Sequence, residues 1–296
     1  MRFSGIARVC LLSAAAAGLF IAGCAAPGRP RLPICPGKVS AEEALATLAA
    51  HAKQAAPFKA NGQILLTYHE PDSGKRKRHN IPMQLWFNPP REVYMQGTIA
   101  VDPKAVIIGS NDESFWLVLR PPDISTYYIG EWSQVRSVEG LMMSPRVVLE
   151  AFGIIVDGEP NAGGWSLKNE GPYDILTKRN EAGRLVERVY VYACDYLVRK
   201  IEFFDQNQKV AATAQLGEYR PLTGGFQVPT RVMVTTTGPS RRTDSIDITL
   251  SSPSSLNSAK GMELIERARK VIFNPPKSEG FERVYALVDG KWVRQR

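Results

Sequence analysis

The sequence predicts a mainly β protein built on one antiparallel, curved sheet of about a dozen strands, with a few helices laid against one face. Three observations carry that expectation. From Gly62 onward apolar residues recur at every second position for most of the chain, the period of a strand with one buried face. The segments with that period are short and separated by turn residues, which leaves too little chain for the crossovers that parallel neighbours require. Helical spacing appears in only three stretches.

In chain order, residues 1–23 stand apart from the fold. Arg2 and Arg8 give a positive start, residues 9–22 an apolar run, and Ile21-Ala22-Gly23-Cys24 a small-residue cleavage site ending in cysteine. Read as a lipoprotein signal, this segment is removed, and the Cys24 thiol is the nucleophile that takes a diacylglyceryl group. Acyl chains such as palmitate then hold the mature chain at a membrane. A transmembrane helix and an ordinary secretory signal with a chance cysteine are the competing readings; the run falls short of the about 20 apolar residues a span needs, and charge, apolar length and the four-residue box together favour lipidation. Residues 24–39 form a linker with Pro27, Pro30, Pro33 and Pro36, a composition that disfavours helix and ladder alike and predicts a semi-extended spacer.

One domain is expected over residues 40–296. Ser40-Ala41-Glu42-Glu43 is a capping-box pattern, predicting a helix to about Ala56 with Ala44, Leu45, Leu48 and Ala52 on one face and Pro57 as its stop. A hairpin follows, with strands at 64–68 and 81–87 around Pro71-Asp72-Ser73-Gly74. Further strands are expected through Val93 and Met95 and at 105–109, 114–119 and 126–132. Residues 144–153 read as a short helix, with Ser144 as cap and Pro145 in the first turn. A second meander is expected at 165–168, 173–178, 185–192, 197–204, 210–217, 227–236 and 245–250. A helix over 259–271 and a small hairpin around Asp289-Gly290 close the chain, with no docking place indicated.

Charge and cysteine usage narrow the partners. The formal charge of +8 falls to +6 without Arg2 and Arg8 and favours anionic surfaces, while nucleic acid is not expected as a partner of an exported chain. Cys10 leaves with the signal and Cys24 is acylated, so Cys35 and Cys194 remain as a candidate disulfide; the sequence leaves open whether they meet. His51, His69 and His79 lack metal-ligand spacing, so no metal or cofactor is expected. Without a nucleophile elbow, a phosphate loop or a paired zinc-histidine motif, no catalytic residue is expected either. The run Lys75-Arg76-Lys77-Arg78 reads either as a solvated hairpin tip or as a contact for anionic headgroups.

A large sheet with few helices leaves an apolar concavity. The alternation assigns to it Ile64, Leu66, Met83, Leu85, Phe87, Val93, Met95, Phe115, Leu117, Ile201, Phe203 and Val232 as candidate ligand-binding residues. Methionine and aliphatic side chains suit flexible acyl chains, and a closed core is the alternative.

The segments Gly62-Gln63-Ile64-Leu65-Leu66 and Leu85-Trp86-Phe87-Asn88-Pro89-Pro90-Arg91-Glu92-Val93-Tyr94-Met95, set behind a lipidation site, a linker and an amphipathic helix, resemble the LolA/LolB-like lipoprotein-carrier fold. The resemblance covers residues 40–250. It implies a half-barrel of eleven or twelve antiparallel strands with helices over the concave face, binding acyl chains, lipid or lipoprotein cargo. An anchored chain is similar to the LolB side, the outer-membrane acceptor, and Ala25 in place of aspartate after Cys24 implies an outer-membrane address facing the periplasm. Ile99-Ala100-Val101 is the candidate for that family's protruding apolar loop, and the chain from Ala259 onward is an extension. Two rivals stand beside this reading: a structural or assembly lipoprotein that docks a protein partner, and an envelope hydrolase with an unfamiliar site.

Overall fold

The computed structural model describes residues 32–69, 73–100, 102–120, 124–134, 164–237, 243–289 and 291–296. The expected lipidation signal with Cys24, the helix expected at 144–153 and the pair Arg241-Arg242 lie outside them.

The first helix, α1, runs Ala41–Lys53. The Ser40 hydroxyl accepts from the Glu43 N–H at 3.2 Å, as a capping box requires. The return bond closes one residue early, since the Glu43 carboxylate accepts from the Val39 N–H at 3.1 Å and pairs with Lys38 at 3.2 Å. The helix ends three residues before the expected Ala56, with Gln54 as C-cap.

Strands follow as β1 Phe58–His69, β2 Arg76–Asn88, β3 Glu92–Ile99, β4 Asp102–Ser110, β5 Ser114–Leu119 and β6 Thr126–Glu131. The second run is β7 Trp165–Glu170, β8 Tyr173–Arg179, β9 Leu185–Tyr192, β10 Leu197–Phe204, β11 Val210–Pro221, β12 Gln227–Thr237 and β13 Thr243–Ser255. Helix α2, Ala259–Arg269, and the hairpin of β14, Arg283–Val288, with β15, Lys291–Arg294, complete the described chain.

All fifteen strands lie in one curved sheet, ordered β15-β14-β6-β5-β4-β3-β2-β1-β13-β12-β11-β10-β9-β8-β7. Two meanders therefore spread outward from a central β1–β13 pair, which aligns Ile64 with Ile248. The count among the described residues exceeds the eleven or twelve expected; the two meanders alone hold thirteen strands, and the closing hairpin adds two by extending the sheet rather than standing apart. It also adds one parallel neighbour: β14 runs alongside β6, from Arg283 opposite Thr126 to Ala286 opposite Ile129. No tight turn joins those two strands, so nothing constrains them to be antiparallel.

The sheet buries side chains on its two faces for different reasons. The inner face carries the large core, and Ala41, Ala44, Leu45 and Leu48 of α1 pack into it. The outer face of β3–β6 carries a second core of Tyr94, Ile107, Trp116, Val118 and Tyr127, covered by Phe273 and Phe281 from the segment after α2 and by Val284. Trp116 lies flat across Gly109, its partner on β4, where a β-carbon would come within 2.2 Å of the indole. Helix α2 is latched to the β2–β3 turn by Glu92, a carboxylate only 8% exposed that accepts from Arg269 Nε at 2.7 Å and from its Nη2 at 3.0 Å. The Asn88 amide donates to the same carboxylate.

Candidate functional site

The inner face is set by register. Opposite one another on β1 and β2 stand Phe58 and Phe87, Ala60 and Leu85, Gly62 and Met83, and Ile64 and Ile81, so one parity of both strands faces α1 and the other faces out. All twelve residues assigned to the concavity are buried, none more than 7% exposed. Eleven of them fall in the one cluster that α1 joins. Phe115 stands at its edge, with its ring 4.8 Å from Trp132 and 6.1 Å from Trp292. Ile99 packs partly against the same cluster instead of projecting as an apolar tip.

A cavity of about 260 Å³ opens between the C-terminal half of α1 and the turns at one end of β9–β12. Its apolar wall is Leu48, Tyr196, Val198, Tyr219 and Phe226, and its rim is His51, Gln54, Asp195 and Gln227. Phe226 connects this space to the strand lining: its ring lies 6.4 Å from Phe58, which lies 5.1 Å from Phe87. The Tyr219 hydroxyl donates to the Val198 carbonyl, and burial raises the hydroxyl's pKa. Sequence reasoning missed this wall because Tyr196 and Phe226 sit in turns. Tyr196 adopts φ +57°, a signal no side-chain alternation carries.

Three contacts fix the N-terminal end of α1 over the sheet. Cys35 and Cys194 form a disulfide, with Cα atoms 5.0 Å apart. The buried Asp174 accepts from the Lys38 N–H at 2.8 Å and from the Asn169 amide at 2.7 Å, and that amide also donates to the Lys38 carbonyl. Gly37 is required there, since a β-carbon would lie 2.1 Å from both Asn169 Nδ2 and Asp174 Oδ1. The last residues of the proline-rich linker are thus docked on β7 and β8 rather than acting as a spacer. Tyr196 stands beside this group, its hydroxyl pKa raised by burial first and by the Asp174 charge second.

A second, larger space of about 1190 Å³ lies at the ends of β5, β6 and β14 and is lined by Arg91, Asp112, Glu113, Glu131 and Trp132, among others. Among the described residues no group of three or more His, Cys, Asp or Glu could hold a metal, and no helix is long and apolar enough to cross a membrane. The histidines serve other contacts: His69 Nδ1 lies 2.8 Å from Asp244, and His79 stacks on Tyr68 at 5.8 Å.

No family model and no curated protein matches the chain. Solved structures do match. A protein from Vibrio parahaemolyticus described as an outer membrane lipoprotein-sorting protein domain superimposes with a TM-score of 0.51 at 10% identity, covering 77% of this chain and 97% of that one. A LolA superfamily protein from Nitrosomonas europaea gives 0.45 at 14% identity, over 73% of this chain and 93% of that one. A DUF1329 family protein from Desulfovibrio piger gives 0.44 at 12% identity, over 72% and 92%.

Proposed function

We propose that this chain, which has a LolA/LolB-like fold, is a lipid-anchored, non-catalytic protein of the bacterial cell envelope that holds an acyl chain or another hydrophobic ligand against its inner sheet face. The observation that carries the reading is the continuity between the cavity under α1 and the strand lining, through Phe226, Phe58 and Phe87. An acyl chain gains about 0.8 kcal/mol for each methylene it buries, and the flexible Met83 and Met95 in that lining adapt to its shape. Acylation at Cys24 would place the binding face beside a membrane, and the sorting role in the description of the Vibrio neighbour supports localisation of lipid or lipoprotein to the outer membrane as its purpose. The ligand-binding role of the twelve inner-face residues is part of this proposal.

The test uses residues 25–296, which include every described residue, exported behind an ordinary cleavable secretion signal. Native mass spectrometry is expected to show co-purifying lipid, and a fluorescent fatty acid is expected to bind. Val198→Phe fills the cavity wall; overpacking of this kind costs about 1–3 kcal/mol, so the variant stays folded while uptake falls about tenfold. An apo mass with no fatty-acid uptake by the parent chain refutes the reading.

A further inference from the structure

The sheet exposes different side chains at its two ends. One end carries the start of β1, the β7–β8, β9–β10 and β11–β12 turns and the cavity beneath α1; the β1–β2, β8–β9 and β10–β11 turns lie at the other. Val39, Val271 and Ile34 are the three most exposed large apolar side chains among the described residues, at 91%, 76% and 74%. All three stand at the cavity end. Ile34 and Val39 flank the Cys35–Cys194 disulfide and the Lys38 N–H bond to Asp174, which hold their segment against β8 and the β9–β10 turn. Val39 occupies the place from which an apolar residue ordinarily packs on the fourth residue of the following helix, yet here it is turned to the outside. Val271 stands between Arg269, latched to Glu92 at the β2–β3 turn, and Phe273, whose carbonyl accepts from Asn111 in the β4–β5 turn. Register places both turns at the cavity end. The turns of the opposite end expose charge instead, among them Lys75, Arg179, Glu181, Arg184 and Lys209.

Eleven residues lead from Cys24 to Cys35, and at full extension they span at most about 36–40 Å. Strand β2, with its thirteen residues, is about 43 Å long. With an acylated Cys24 in the bilayer and the basic tip at Lys75 laid on the lipid, upright strands would hold Cys35 about 40 Å away. The tether would then be drawn to its limit and lose its conformational freedom. With the cavity end on the lipid the same tether is slack. We infer that Ile34, Val39 and Val271 seat the cavity end of the domain on the surface of a lipid bilayer, with the exposed Lys270 beside Val271 extending its ammonium to the headgroups. This rests on acylation at Cys24, because the tether makes an otherwise weak contact of three side chains intramolecular. The tip at Lys75 then faces water, and the cavity rim at His51 and Asp195 lies on the lipid side.

The experiment uses the full chain, exported behind its own residues 1–23 and purified from membranes, with intact-mass spectrometry reading the acyl mass on Cys24. It is reconstituted into vesicles of phosphatidylcholine with brominated acyl chains, which quench tryptophan inside the apolar layer. Ile34→Trp, Val39→Trp and Val271→Trp report from the cavity end, and Lys75→Trp and Lys209→Trp from the opposite end, each against the parent chain's own tryptophans. The first three are expected to lose about half of their added fluorescence, as for side chains seated about 5–10 Å into the headgroup boundary, and the last two none. Adding Ile34→Asp and Val39→Asp to Val271→Trp should lift its quenching while acyl mass and vesicle association are kept. Quenching at Lys75→Trp or Lys209→Trp equal to or above that at the cavity end overturns the inference. An acylated chain held on vesicles without quenching at any of the five positions also overturns it and leaves the anchor standing. A chain with neither acyl mass nor vesicle association removes the anchor and the seating together.

Discussion

Replacing Cys35 and Cys194 with serine opens a loop that spans 159 positions of the sequence. In the chain-entropy model, closing a loop of that length lowers the entropy of the unfolded chain by about 17 cal/mol/K, or about 5 kcal/mol at room temperature. Part of that loop is already restrained by residual structure in the unfolded chain, which lowers the effect. The expected loss is therefore about 3–5 kcal/mol. Urea unfolding of the oxidised chain and of the double-serine variant measures it, and with a slope near 3 kcal/mol/M the midpoints should differ by roughly 1–2 M. Midpoints that coincide within about 0.3 M, with equal slopes, refute the argument. Such a result would mean that the segment before α1 is already restrained in the unfolded chain or that it unfolds separately from the sheet. Adding Gly37→Ala to the oxidised chain probes the same place from the other side, since the new methyl displaces Asn169 or Asp174 while the disulfide stays intact.

Arg269→Ala should cost about 1–3 kcal/mol in the same unfolding assay, because it leaves the buried Glu92 carboxylate with the Asn88 amide in place of a half-exposed guanidinium. The double variant with Glu92→Gln should recover a good part of that loss, and an additive double variant would contradict the latch. Burial pushes the Tyr127 hydroxyl up to about 12 from the ordinary tyrosine value of 10.0, so the folded chain holds this proton over a window in which the unfolded chain loses it. The stability it contributes is complete below pH 10 and declines by up to about 3 kcal/mol as pH rises toward 12; Tyr127→Phe should flatten that decline in an alkaline unfolding series, and an unchanged slope would count against it.

Much of the inner face was legible because it obeys a period of two. Ile64, Leu66, Met83, Leu85, Phe87, Val93 and Met95 alternate with residues that face outward, and register carries each onto the same core. The outer core does not follow from alternation, which implies only one buried face. The runs Ala105-Val106-Ile107-Ile108 and Phe115-Trp116-Leu117-Val118 are apolar without interruption, which marks a strand buried on both sides, and here the chain after α2 supplies the second cover. The edge placement of β14 could not be read either: a strand that joins a sheet from more than a hundred residues away carries no local sign of its neighbour. The disulfide was visible only as a remainder after two other cysteines had been assigned, and three-dimensional proximity alone shows the pair.

The two halves of the sheet differ in what holds them, and the difference bears on where a ligand can be accommodated. Strands β3–β6 bury aromatic and aliphatic residues on both faces, and removing one such ring from a core costs about 3–5 kcal/mol. Strands β9–β11 bury only their inner face. Outside, they carry charged and aromatic side chains such as Lys200, whose Nζ lies 3.7 Å from the Tyr190 ring centre, a contact worth about 0.5–1 kcal/mol when exposed. Resistance to deformation is therefore concentrated in β3–β6, and the half beneath α1 yields first. Within that half the disulfide and Asp174 fix the N-terminal end of the helix, while Leu48, His51 and Gln54, toward its other end, wall the cavity. On the acyl-binding proposal, the volume of a bound chain would be taken up at that far end, at the wall formed with Tyr196, Val198 and Phe226, while the pinned end holds the helix over β7 and β8.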